Sequence, residues 1–161
     1  MENENKPLLS IRDLKTYFVM DEGTAKAVDG VSFDVYPGQV VGVVGESGCG
    51  KSVTIKSVLR IVQRPGGIVG GKILLRRNGQ DGQEEITNVV NLDPNKKEMR
   101  SIRGAEIALI PQEPMSALSP VHTIGNQIVE AIRQHIDVNK KEAEPIAIES
   151  LREVGMPSPE K

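Results

Sequence analysis

The sequence has few aromatic side chains, one cysteine and little net charge. Of its 161 residues only 2% are aromatic and none is tryptophan. Proteins that bind single-stranded nucleic acid need aromatic stacking platforms, and this chain can supply few of them. Its formal net charge of −2 gives no overall attraction to nucleic acid or to an anionic membrane surface. We therefore expect no nucleic-acid partner.

Long apolar runs are also missing from the sequence. No stretch approaches the roughly 18 consecutive apolar residues of a membrane-spanning helix, and residues 1–7 do not show the basic and then apolar order of a signal peptide. Because Cys49 is the only cysteine, no disulfide can form within one chain. We expect a cytoplasmic protein with no direct membrane insertion, which reaches a membrane only through a partner.

One glycine-rich stretch carries the strongest functional signal. It fits the pattern G-x-x-x-x-G-K-[ST] of a phosphate-binding loop and consists of Gly45, Glu46, Ser47, Gly48, Cys49, Gly50, Lys51 and Ser52. The apolar residues 40–44 predict a strand before it, and the helical spacing in 52–62 predicts a helix after it. Backbone N–H groups of such a loop surround a polyphosphate, and the helix N-terminus faces the same anion. In this pattern Lys51 reaches the β- and γ-phosphates, and the Ser52 hydroxyl binds Mg²⁺.

Cys49 lies within this loop, next to Lys51 and at the start of the predicted helix. A nearby lysine and a helix N-terminus both favour a reactive thiolate. The alternative is that cysteine occurs here only because a small side chain fits the loop. If Cys49 is reactive, a thiol reagent will modify it, and bound nucleotide will protect it.

The residues before the loop predict antiparallel strands. Two short strands are expected at 8–14 and 16–20, with a turn at 21–23. Residues 31–35 alternate apolar and polar side chains, as a half-buried antiparallel strand does. The phosphate loop is therefore preceded by a β-rich segment.

Beyond the predicted helix, glycine pairs flank a short strand at 72–75, and the polar residues 77–103 contain one strand candidate at 86–90. Residues 106–110 predict a buried strand. An amphipathic helix should begin at Gly125 and a second one after Asn139, capped with Glu142. We expect Pro145 to kink or restart that helix and Gly155 to end it.

Several segments together resemble the N-terminal half of the ATP-binding subunit of an ABC transporter, most closely in the oligopeptide and dipeptide importer branch. The matching segments are 27–33, 43–54, 102–104, 111–120 and 123–125. The resemblance implies an α/β fold: a P-loop NTPase core of ABC type with an N-terminal antiparallel β subdomain, then the start of the helical subdomain, with the C-terminal half of the fold absent. It also implies a tail at 1–7, a core at 8–114 with a hairpin excursion at 76–103, and helical residues at 115–161.

The resemblance extends the predicted binding site for ATP and Mg²⁺. Phe18 falls where the family stacks an aromatic ring on the adenine, with Val28 beneath it, and Tyr17 is the alternative ring. Val53 completes the loop. Gln112 matches the glutamine that reaches Mg²⁺, positions the attacking water and senses the γ-phosphate.

The implied function is that of an energy-coupling ATPase subunit of a peptide importer. Its implied partners are a second ABC ATPase subunit and a membrane permease, contacted through the residues after Gln112 at the inner face of the cell membrane. Other possibilities are import of oligosaccharides or another solute, a soluble ABC-type ATPase not engaged in transport, and a regulatory module that only binds nucleotide.

The family's signature segment and Walker B carboxylate have no counterpart among these 161 residues. The apolar residues 89–93 end in Asp93, but Pro94 follows directly. We therefore expect no catalytic residue in this chain, weak ATP binding and no significant hydrolysis. His122 and His135 are isolated, and we expect both at the surface.

Overall fold

Four antiparallel strands form the sheet of the first of two compact units into which the chain divides, Met1–Arg100 and Ser101–Lys161. The computed structural model describes residues 6–78 and 83–160, so most of the predicted tail at 1–7 and residues 79–82 of the predicted hairpin excursion lie outside the described residues. In spatial order the strands are β2 (Gly23–Val35), β1 (Leu9–Met20), β3 (Gly66–Asn78) and β4 (Glu84–Asn88).

The central strand β1 is one bulged strand, where the sequence predicts two short ones. It pairs with β2 from Leu9 to Met20, and the register shifts next to Asp13, whose φ is 47°. Across the sheet, Gly71 has a φ of +89°, and a Cβ there would lie 2.4 Å from the carbonyl oxygen of Asp13. The bulge therefore requires a glycine at position 71.

Strand β3 is longer than the predicted strand at 72–75 because its glycines do not interrupt it. Gly66, Gly67 and Gly70 all pair with β1, opposite Phe18, Tyr17 and Lys15. The hairpin partner β4 begins two residues earlier than predicted, and Asn88 ends it by accepting a hydrogen bond from Val90 N in a 3₁₀ turn at Val89–Asn91. The predicted strand at 86–90 is thus partly wrong.

A helix, α1 (Lys51–Val58), packs on this sheet. Thr16 Oγ1 lies 2.9 Å from Ser57 Oγ, and this buried hydrogen bond joins β1 to α1. The helix ends before the predicted Val62, since Leu59 caps it and Arg60 takes a left-handed φ of 55°. Apolar residues from sheet and helix form the core: Ile11, Leu14, Val28, Val58, Leu59, Ile73, Leu75 and Val89.

Two predicted strands are wrong. Residues 40–44 form no strand, and Val40 and Val44 are 96% and 92% exposed. Residues 106–110 form only one isolated bridge, from Ile107 to Arg103, and Ile110 is 89% exposed. A strand exists only through its hydrogen-bonded neighbours, and in the described part of the chain neither segment has a ladder partner.

The second unit consists of helices that are set by local sequence. After the short helix α2 (Lys97–Ile102), at which the units divide, come a 3₁₀ turn (Pro114–Ala117), α3 (Ile124–His135) and α4 (Lys140–Glu153). Val129, Ala143 and Ala147 form the core between α3 and α4. The predicted capping box is confirmed: Asn139 Oδ1 accepts from Glu142 N at 3.2 Å, and Asn139 N donates to Glu142 Oε2 at 2.9 Å.

Pro145 does not restart α4, so that alternative of the prediction is wrong. The helix runs unbroken through it because both Pro145 and Lys141, whose carbonyl loses its helical partner, are solvent-exposed. Gly155 ends the helix as predicted, with a φ of 76° and hydrogen bonds from Gly155 N to Arg152 O and from Met156 N to Leu151 O. These two bonds form a Schellman motif.

Candidate nucleotide-binding site

The glycine-rich loop leads directly into α1, and its glycines have specific conformational roles. Gly48 and Gly50 adopt φ values of +80° and +98°, which residues with a Cβ rarely take. A Cβ on Gly50 would also lie 2.2 Å from the carbonyl oxygen of Ala27 in β2. Gly50 is therefore required both by its own backbone and by the close approach of the sheet.

Lys51 is folded back over the loop. Its Nζ donates to Gly45 O and to Glu46 O, each at 2.6 Å. An ammonium group has three donors, and here the third faces Cys49 Sγ at 3.5 Å. Sulfur is a weak acceptor, so an anionic oxygen would compete for that donor successfully. The loop carbonyls thus hold the ammonium over the loop, with its third donor only weakly paired.

The N-terminus of α1 supplies further donors. The first intrahelical hydrogen bond is made by Thr54, whose N–H donates to Gly50 O at 2.9 Å. The N–H groups of Lys51, Ser52 and Val53 precede that bond and have no partner within the helix. No acidic side chain lies in the first turn, so none competes for these donors. The loop, the lysine and the exposed Ser52 hydroxyl suit a magnesium-bound polyphosphate.

Val28 lies beside this loop. Its side chain is 2% exposed, and its Cγ2 is 3.7 Å from the position that a Cβ on Gly50 would occupy. The structure thus brings Val28, Gly50 and Lys51 to one place, with Gly45 and Cys49 in contact across the loop. Among the remaining predicted loop residues, Val53 is half-buried and four are exposed: Glu46, Ser47, Gly48 and Ser52.

The two candidate aromatic rings have different surroundings. The Tyr17 hydroxyl donates to Asp29 Oδ1 at 2.6 Å, and Lys26 Nζ lies 5.5 Å from the centre of the ring. This hydrogen bond raises the pKa of Tyr17 and lowers the pKa of Asp29. Phe18, its neighbour on the strand, lies against Gly66, and Val62 Cγ1 lies at the same position. Both rings are half-buried, so the choice between them remains a prediction.

Gln112 lies in the second unit, in an exposed bend after Pro111. Its role as a magnesium ligand and sensor of the γ-phosphate remains a prediction. His122 and His135 are exposed, as predicted. His122 lies in a surface loop, where its Nδ1 is 2.9 Å from Ser119 Oγ.

Two residues near this site were missed from the sequence. The carbonyl oxygen of Ala27 leaves no room for a side chain at position 50, and Gly66 leaves room for the Phe18 ring. Neither has a chemical signature of its own. Only the strand register, which pairs Phe18 with Gly66, reveals the second.

The exposed Cys49 thiol gives a direct measure of ligand binding. We expect a maleimide to label Cys49 in the free chain and to label it several times more slowly with saturating Mg-ATP, because the phosphates would lie against the same loop. Mass spectrometry can follow the reaction without ambiguity, since no second thiol is present. A Cys49→Ser chain is the unlabelled control. Equal rates with and without ATP would contradict the expectation.

Within residues 6–78 and 83–160, no helix has the length and apolar character needed to cross a membrane. In the same residues, no group of three or more histidine, cysteine or carboxylate side chains is arranged to hold a metal ion.

Comparisons with known proteins identify the family. A family model described as ABC transporter matches residues 28–160. The chain is 43% identical to a probable peptide ABC transporter ATP-binding protein of Sinorhizobium fredii, over 96% of this chain and 43% of that protein. It is 40% identical to the dipeptide transport ATP-binding protein DppD of Escherichia coli, over 94% of this chain and 43% of that protein.

A third relative carries a different solute in its name. It is the peptidoglycan transport ATP-binding protein YejF of Agrobacterium fabrum, 42% identical over 99% of this chain and 28% of that protein. The chain spans less than half the length of each of these relatives. The antiparallel sheet, the phosphate loop at the start of α1 and the match to 28–160 agree, and the chain belongs to the ABC transporter family.

Proposed function

We propose that this chain is the ATP-binding part of the energy-coupling subunit of an ABC-type importer for peptides. The observation that supports it best is Lys51, whose ammonium is held by the Gly45 and Glu46 carbonyls above the N-terminus of α1. The names of two relatives, which refer to peptide and dipeptide transport, suggest the solute. The peptidoglycan transport relative favours a wider range that includes glycan-containing solutes.

The chain's own residues would share the work of binding Mg-ATP. When bound, the nucleotide supplies a phosphoanhydride bond whose cleavage drives transport. The loop N–H groups and Lys51 would hold the β- and γ-phosphates and offset their charge. Ser52 and Gln112 would contribute oxygen ligands to Mg²⁺, with Gln112 also positioning the water. Phe18 would stack on the adenine beside Val28.

The residues after Gln112 are proposed to contact a membrane permease at the inner face of the cell membrane. Met115, Val121 and Ile124 are 77%, 81% and 53% exposed. The residues between the 3₁₀ turn and α3 are held in part by the Gln127 side chain, which accepts from Ser119 N at 2.8 Å and donates to His122 O at 3.0 Å. Exposed apolar groups on an ordered loop support a protein contact here. A second ABC ATPase subunit would be the other partner.

We further propose that these 161 residues bind ATP without significant hydrolysis. Phosphoryl transfer relies on a carboxylate that helps to hold Mg²⁺ and on a group that orients the attacking water. Glu46, the acidic residue of the loop, has its backbone carbonyl engaged by Lys51 and is a variable position of the loop pattern. Binding is therefore expected to be separable from turnover in this chain.

Titration calorimetry with the purified chain tests the proposal. We expect saturable binding of one Mg-ATP and no sustained phosphate release. The second arm is co-expression with the two permease subunits of a peptide importer, where the chain should co-purify with them. Failure to bind any nucleotide would refute the proposed site, and sustained ATP hydrolysis that is lost in Lys51→Ala would refute the proposed lack of turnover.

A further inference from the structure

The Phe18 ring occupies the space in which a side chain at position 66 would lie. Phe18 and Gly66 are direct partners across β1 and β3. A Cβ on Gly66 would stand 2.6 Å from Phe18 Cε1, 2.8 Å from Phe18 Cζ and 2.7 Å from Val62 Cγ1. Real Cβ atoms essentially never approach other atoms so closely, so any residue larger than glycine would displace the ring or the valine.

The backbone of Gly66 gives no other reason for a glycine. Its φ lies outside the left-handed region, unlike that of Gly71 in the same strand. Its N–H donates to Gln63 O at 2.9 Å, a bond that an alanine would make equally well. The contact with Phe18 and Val62 is therefore what favours a glycine here.

The residues around the ring belong to β1 and to the end of α1. Thr16, two residues before Phe18 and hence on the same face of β1, is tied to Ser57 of α1 by a buried hydrogen bond. Val62 lies shortly after the end of α1, and its Cγ1 and the Phe18 ring both lie at the Cβ position of Gly66. Phe18 as a whole is half-buried.

We propose that Gly66 is a positioning residue for nucleotide binding: it leaves free the space that the Phe18 ring and Val62 share and so orients the exposed part of the ring toward the adenine. This inference rests on the proposed function, in which Phe18 stacks on the base. Through Phe18, Gly66 would affect the contact with the base and not the contacts with the phosphates, which Lys51 and the loop would hold. Its effect should therefore appear as a loss of preference for ATP over a phosphate chain without a base.

The neighbouring Gly67 provides a matched control. It lies in the same strand, pairs with Tyr17, and has nothing within 4 Å of its Cβ position. Gly66→Ala and Gly67→Ala therefore make the same chemical change one residue apart, and only the first interferes with the Phe18 ring.

The test compares Mg-ATP with inorganic tripolyphosphate, measured by calorimetry on the full chain. We expect Gly66→Ala to weaken ATP binding about tenfold, within the range expected for loss of one base–aromatic stack, and to leave tripolyphosphate binding within about twofold of the original. Gly67→Ala should leave both unchanged. Adding Gly66→Ala to Phe18→Ala should cause no further loss, because both changes remove the same stack.

Different results separate the possible failures. If Gly66→Ala leaves ATP binding unchanged, weakens both ligands equally, or adds its full effect to that of Phe18→Ala, the positioning role is wrong. If Phe18→Ala alone leaves the ATP preference intact, the stacking assignment and this inference fail together while phosphate binding stands. If the original chain binds neither ligand, it is the proposed function that fails.

A second variant keeps the test decisive if Gly66→Ala does not fold. Val62→Ala shortens the other side chain that lies at the Cβ position of Gly66 and introduces no new atom. It should lower the preference for ATP over tripolyphosphate in the same direction. An unchanged preference in Val62→Ala would overturn the proposal.

Discussion

Lys51→Ala is expected to weaken Mg-ATP binding by about 100-fold, since a charge-assisted hydrogen bond contributes roughly 1.5–3 kcal/mol and the one from the third ammonium donor would be lost. The variant removes the ammonium that Gly45 O and Glu46 O hold at 2.6 Å. It also leaves those carbonyls facing the phosphates without a cation between them. Affinity should therefore fall through lost attraction and through new repulsion between oxygens.

Two further lysine variants separate charge from geometry. Lys51→Arg keeps the charge, but a guanidinium nitrogen carries at most two N–H groups and so cannot hold both carbonyls and also donate to a phosphate, as the ammonium can; we therefore expect most of the loss to persist. Lys56→Ala removes an exposed lysine from the same helix and should leave ATP affinity within about twofold. Calorimetry measures all three. ATP binding by Lys51→Ala at the original affinity would exclude this loop as the phosphate site.

Gly50→Ala is expected to destabilise the chain by about 3 kcal/mol or more and to abolish ATP binding, because it combines two mechanisms known to give large effects. The new methyl group would lie 2.2 Å from Ala27 O, and the residue would have to hold a φ of +98°. Either the loop or β2 must move. In both cases Lys51 and the first N–H groups of α1 would leave their present positions.

A series of glycine variants resolves these two causes. Gly48 has a φ of +80° but nothing within 4 Å of its Cβ position, so Gly48→Ala should show the backbone cost alone, about 1 kcal/mol. Gly42 has neither feature, and Gly42→Ala should be nearly neutral. Urea unfolding and ATP titration should rank the variants in that order, with Gly50→Ala the most affected. Equal effects at Gly48 and Gly50 would show that the Ala27 contact carries no cost.

The features that the sequence predicted correctly are those decided within a few residues. A helix follows the glycine-rich loop, as its spacing predicts, and begins at Lys51. The Asn139 and Glu142 capping box and the glycine stop at Gly155 close hydrogen bonds over a few residues. Such bonds depend on local geometry, so the residue pattern is sufficient to predict them.

Pairing between distant segments was decided only by the tertiary structure. The apolar residues 40–44 have the composition of a strand, but they form none in the described structure, because a strand needs neighbours to accept its hydrogen bonds. Conversely, glycines that read as breaks lie inside β3, since β1 pairs with them. The same register places Gly66 opposite Phe18. The packing of the loop on the sheet places the Ala27 carbonyl against Gly50. Local sequence determined what could bind a phosphate, and non-local pairing decided which side chains surround it.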